Sequence, residues 1–128
     1  MNKTVKITID LTNSPHITLN NSEASKLLMC LEREIGETID LKESLRIISN
    51  FDEFYKYSKR KYRDYLTPVK NHRDSILGRT IVHKLKLFIE NNDKFVEIVF
   101  DRRFNIDYLK KCLLEISYSN VIVEKQTI

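Results

Sequence analysis

The chain has 128 residues, 41% hydrophobic and 31% charged, with a net charge of +4. This balance suits one folded domain and excludes a disordered chain. It has only two glycines, Gly36 and Gly78, set apart in the sequence. A glycine-rich phosphate cradle, and the nucleotide-binding enzymes built on one, are therefore excluded. No apolar run approaches the roughly 18 residues that span a bilayer.

Met1-Asn2-Lys3-Thr4 opens onto alternating residues rather than an apolar leader, which reads as a cytoplasmic protein without a signal peptide. Val5, Ile7, Ile9 and Leu11 alternate with polar residues, and Ile17 and Leu19 do so again after the turn-forming "TNSP". Residues 5–19 are predicted to form a β-hairpin. Asn20 with Glu23 resembles a capping box, and Ala24, Leu27, Leu28, Leu31 and Ile35 follow at helical spacing up to Gly36. Asp40 and Glu43 repeat the capping signal before a short helix carrying Leu41, Leu45 and Ile48.

A third helix is expected from Asn50, its cap, to Pro68, with Phe51, Phe54, Tyr55, Tyr62, Tyr65 and Leu66 on its buried side. Its opposite face carries Lys56, Lys59, Arg60 and Arg63, and Tyr57 falls outside the apolar stripe. After a polar connection, residues 75–91 are predicted as a fourth helix. Asp74 is its cap and Leu77, Ile81, Leu85 and Phe88 are its inner stripe. "KFVEIVF", residues 94–100, reads as a buried strand. Asn105 caps a last helix through Ile106, Leu109, Leu113 and Ile116, and "VIVEK" closes as a strand paired with the previous one. The expected fold is a single α+β domain, 1–128, in the order ββααααβαβ. A four-stranded sheet packs on a helical layer, with a basic helical hairpin inserted at about 51–91.

Charge is distributed unevenly: −3 over residues 1–54, +8 over 55–86 and −1 over 87–128. A segment of that sign and density is the footprint of a phosphate-binding surface. The candidate contacts are Lys56, Tyr57, Lys59, Arg60, Arg63, Lys70, Arg73, Arg79 and Lys86, the tyrosine offering a stacking face.

Catalytic chemistry is poorly supported. His16, His72 and His83 form no metal-binding spacing, and the His-Arg-Asp tripeptide at 72–74 lacks every other part of a kinase. Glu97 and Asp101, with Glu124 and Lys125 nearby if their strands pair, are the carboxylates a metal-dependent nuclease would need. Cys30 and Cys112, far apart in sequence, read as two buried free thiols. No cofactor, metal or catalytic residue is assigned.

The residue usage, 15 Ile, 14 Lys and 10 Asn against one Ala, is that of an AT-rich genome, such as a low-GC bacterium or its phages and plasmids. The expectation is a non-enzymatic nucleic-acid-binding accessory or regulatory protein acting on DNA rather than RNA. The alternatives are a protein–protein inhibitor or adaptor that uses the same surface against an acidic partner, and the nuclease. No membrane partner is expected, and a homodimer through the final strand is possible in principle.

Overall fold

A computed structural model describes residues 3–70, 72–77 and 79–126. The elements are β1 (Thr4–Ile9), β2 (Pro15–Asn20), α1 (Asn21–Ile35), α2 (Ile39–Ser49), α3 (Phe51–Arg60), α4 (His72–Ile76), β3 (Val82–Glu90), β4 (Asp93–Phe100), α5 (Ile106–Ile116) and β5 (Asn120–Lys125). They form an α+β domain around one mixed sheet of order β3-β4-β2-β1-β5. No helix among the described residues is long and apolar enough to cross a membrane.

The local signals at the two ends of the chain act as expected. Asn13 turns the β1–β2 hairpin with φ 67°. The Asn20 side chain accepts a hydrogen bond from the Glu23 amide at 2.8 Å and so caps α1. Gly36 ends α1 at φ 96°, a conformation that glycine enters without a Cβ clash. Asn105 caps α5 by accepting from Asp107 N. Two other predicted caps are displaced. Thr38, not Asp40, caps α2, and the Asn50 side chain donates back to Arg46 O instead of capping α3. The Asp74 cap lies outside the described side chains.

The predicted fourth helix is the main correction. Residues 82–90 are a strand, so the basic helical hairpin does not exist and the sheet has five strands rather than four. Leu77, Ile81, Leu85 and Phe88 do match a helical spacing. However, Lys84-Leu85-Lys86-Leu87 alternates with period two, and Asn91 and Asn92 both take positive φ, 53° and 67°. Two such residues make the primed turn whose twist suits a tight hairpin, and asparagine tolerates that conformation. β3 and β4 accordingly pair antiparallel from Val82–Phe100 to Glu90–Asp93, with an irregularity between Val82 and Lys84.

The final strand also pairs differently. β5 lies parallel to β1, from Thr4–Asn120 to Ile9–Lys125. The β4–α5–β5 crossover therefore spans the N-terminal hairpin, which sits between β4 and β5. β5 is a sheet edge with Ile122 and Val123 exposed.

One sheet face is buried under α1, α2 and α5. Ile7, Ile17, Leu19, Leu85, Ile98 and Phe100 meet Leu27, Leu28, Leu31, Leu41, Ile48 and Leu109 there, each at 2% exposure or less. Cys30 of α1 and Cys112 of α5 are not free thiols: they are joined as a disulfide, with a Cα–Cα distance of 5.8 Å. Each falls on the inner stripe of its own helix, and α1 packs on α5, so residues 82 apart in sequence become neighbours.

The junction between α2 and β3 rests on one buried acid. Asp40, 2% exposed, accepts hydrogen bonds through Oδ2 from Ile81 N and Val82 N, both at 2.7 Å. Replacing it by alanine leaves both amides buried and unpaired. Asp40→Ala is expected to destabilise the fold by about 3 kcal/mol, read by urea unfolding. Reduction of the disulfide frees a long loop in the unfolded chain. Unfolding with and without a thiol reductant should differ by about 4 kcal/mol in the chain-entropy picture.

Candidate nucleic-acid interface

The nine cationic and aromatic candidates divide into groups once β3 replaces the fourth helix. α3 ends at Arg60, well before Pro68. Lys61 caps it, Tyr62 N donates to Lys59 O at 3.2 Å, and Arg63 N donates to Ser58 O at 2.9 Å. This is the Schellman arrangement, which requires a left-handed residue after the cap. The residue that fills it is Tyr62, at φ 54°. Tyr62 is 95% exposed, not buried on a helical stripe as its spacing suggested.

The chain then returns to the sheet. Leu66 and Leu85 exchange backbone hydrogen bonds of 2.7 and 2.8 Å, which pins the segment to the outer side of β3. Alternation along β3 turns Leu85 and Leu87 to the core and Lys84 and Lys86 to the open face. Between the end of α3 and β3 lies a groove of about 250 Å³. Lys59, Arg63 and Lys86 line it together with Asp64, Tyr62 and Phe88. Phe88 stacks on its cross-strand partner Phe95, with ring centroids 5.5 Å apart.

Three predicted residues thus share one groove, and Lys56 and Arg60 are exposed on the adjoining α3. Among the described residues, none of Lys56, Lys59, Arg60, Arg63 and Lys86 pairs with a carboxylate. Lys59 Nζ lies 5.4 Å from the Tyr55 ring, and the Arg60 guanidinium lies 6.0 Å from the Tyr57 ring. Tyr57 is 36% exposed, so its ring is shared between Arg60 and solvent. The other candidates lie elsewhere. Lys70 is half-buried and donates to His83 O at 2.9 Å, and burial pulls its ammonium below the usual lysine range. Arg73 is exposed on the short α4, and Arg79 lines a different cavity.

A polar network that the sequence did not signal braces the open sheet face. His16 on β2 faces Asp10 through Nε2 and Glu97 on β4 through Nδ1, the latter at 3.3 Å. Tyr65 donates its hydroxyl proton to Glu97 at 2.7 Å, and Lys84 Nζ sits 4.2 Å from the Tyr65 ring. Burial and the neighbouring Glu97 carboxylate push the Tyr65 hydroxyl up to about 12. Burial alone would raise the Asp10 carboxyl, but hydrogen bonds from Thr12, Ser14 and His16 outweigh it and hold Asp10 well below the usual carboxylate range.

The predicted nuclease carboxylates do not assemble. Glu97 is engaged by His16 and Tyr65, and Asp101 binds the Arg103 guanidinium at 3.1 Å. Glu124 lies on β5, separated from β4 by two strands, and pairs with Lys6 of β1. Cys30, Cys112 and Glu115 offer metal-ligand chemistry at close range, but the two sulfurs are bonded to each other and Arg33 holds Glu115.

Because Asp10 is depressed in the folded state, its contribution is complete above the ordinary carboxylate range and is lost as pH falls toward the depressed value. The stability gap between wild type and Asp10→Asn should therefore shrink as pH drops from about 5 to about 2, measured by urea unfolding at each pH.

The chain matches no protein-family model, no curated protein and no solved structure.

Proposed function

We propose that this protein is a non-enzymatic nucleic-acid-binding accessory or regulator that holds a strand in the groove between α3 and β3. The observation that carries the reading is Tyr62. Left-handed φ costs a non-glycine residue about 1 kcal/mol. Here that conformation presents an aromatic ring almost wholly to water, in a groove shared with Asp64 and with three cations that pair with no carboxylate among the described residues. Aromatic faces with flanking cations are the working parts of single-strand recognition. Bases stack on the rings, and Lys and Arg track the phosphates. Phe88 supplies a second ring in the same groove. Arg63 offers the planar fork suited to a phosphate, and Lys59, Arg60 and Lys86 supply field. A single strand is favoured over a duplex because only unpaired bases expose a face to Tyr62.

Fluorescence anisotropy with labelled single-stranded and duplex oligonucleotides tests this. Single strands should bind more tightly. If Lys59, Arg60, Arg63 and Lys86 all contact phosphate, the log–log salt slope should be about −3. Tyr62→Gly separates function from folding. It should leave stability unchanged or raise it by up to about 1 kcal/mol, yet weaken single-strand binding by at least about fivefold. Absence of binding at low salt, or full binding by a Lys59→Glu, Arg63→Glu, Lys86→Glu triple variant, overturns the assignment.

A further inference from the structure

A second cavity, of about 430 Å³, lies where the segment entering β3 passes the starts of α2 and α5. Arg79 and Arg103 line it, and so do Phe104 and Tyr108. The four side chains are of two kinds, each with its own geometry. The rings belong to a stack that runs outward from the core. Phe100 is fully buried, Phe104 stacks on it at 5.4 Å and 18°, and Tyr108 follows at 6.3 Å and 23°. Tyr108, at the outer end, is 40% exposed. A planar ligand entering the cavity would extend a stack that is already built.

The cations are also prepared. Asp101 holds Arg103 by its side chain, Nε to Oδ1 at 3.1 Å, and accepts from its backbone amide at 2.9 Å. This fixes the guanidinium while leaving part of its donor fork unused. Arg79 is exposed, and among the described residues it has no partner. The acid on the cavity wall, Glu37, pairs with Lys42 at 2.8 Å. The capping residues Thr38 and Asn105 also line the cavity, so the positive ends of both helix dipoles add to the field. A size of this order suits a small organic ligand.

An aromatic plane joined to an anion is the chemistry these groups recognise together. We propose that the cavity binds a nucleoside 5′-monophosphate, either free or as the phosphorylated end of a strand. The base lies against Tyr108, and the phosphate bridges Arg79 and Arg103. None of the groove residues takes part, so the site stands or falls apart from the α3–β3 reading.

Isothermal titration of the full chain with AMP, adenosine, ribose 5-phosphate and inorganic phosphate is the test. AMP should bind saturably at one site, about tenfold or more tighter than each fragment, because both halves of the cavity are filled. Arg79→Glu and Tyr108→Ala should each weaken AMP by about tenfold; the thermal unfolding transition should stay in place for the exposed Arg79 and fall by no more than about 8 °C for Tyr108, the outermost ring of the stack. No saturable AMP binding by the wild type overturns the proposal, as does AMP binding that both variants retain. Short oligonucleotides with and without a 5′-phosphate, titrated against the Lys59→Glu, Arg63→Glu, Lys86→Glu variant, distinguish the two sources. Tighter binding of the phosphorylated strand than of AMP assigns the strand end, and the reverse assigns the free nucleotide.

Discussion

The position of β3 depends on the carboxylate of Asp40. Two adjacent amides, Ile81 N and Val82 N, point into the interior just where the strand begins. Without an acceptor they would cost more than the strand's first pairs return. A carboxylate meets both with one oxygen, and its charge is matched by those donors and by the field of Lys70 nearby. The register from Val82 onward follows from this anchor. Register decides which side chains reach the open face, and a slip of one residue would bury Lys84 and Lys86 and expose Leu85 and Leu87. The same anchor fixes the residues just before the strand, which carry Arg79 to the second cavity.

The sheet order divides the work between its faces. Helices α1, α2 and α5 cover one face with an apolar core, and the disulfide locks α1 to α5 on that side. The other face is held by polar chemistry. Asp10, His16, Glu97 and Tyr65 connect the β1–β2 turn, β2, β4 and the segment after α3 in one chain of hydrogen bonds. Such a network orders a surface that has no hydrophobic layer over it. It also gives the groove rigid walls, because Tyr65 is tied to β4 while its neighbour Leu66 is tied to β3.

The hairpin, α1 and α5 were legible because short-range signals agreed there: turn residues, capping side chains and an apolar stripe all pointed the same way. Residues 75–91 failed because two periods overlap. Leu77, Ile81, Leu85 and Phe88 fit a helix, whereas Lys84 to Leu87 fit a strand. The deciding evidence was the Asn91-Asn92 turn and a partner strand that local spacing does not reveal. The cysteine bridge was invisible for a similar reason, since it depends on two helices packing side by side. At the candidate site, charge density marked residues 55–86, and the structure brings three of the nine candidates, Lys59, Arg63 and Lys86, into one groove. Assignment to one helical face was wrong, because a strand sends alternate residues apart and because a backbone motif ended α3 early. No composition signal announces that Tyr62 will take the left-handed position.

That position is where folding and the proposed function pull in different directions. A glycine would complete the Schellman turn with less strain, and a lysine would keep the surface equally wet. Tyrosine does neither, and its ring adds nothing to the core because almost all of it faces solvent. The backbone hydrogen bonds of Tyr62 and Arg63 nevertheless hold the ring at a fixed place above the groove. Among the described residues, a side chain held there at a cost to the fold and almost wholly in water contributes little packing in return, which is why the proposed function rests on it. On the proposed reading, the three cations of the groove favour an anionic ligand and the exposed ring favours one with a flat face.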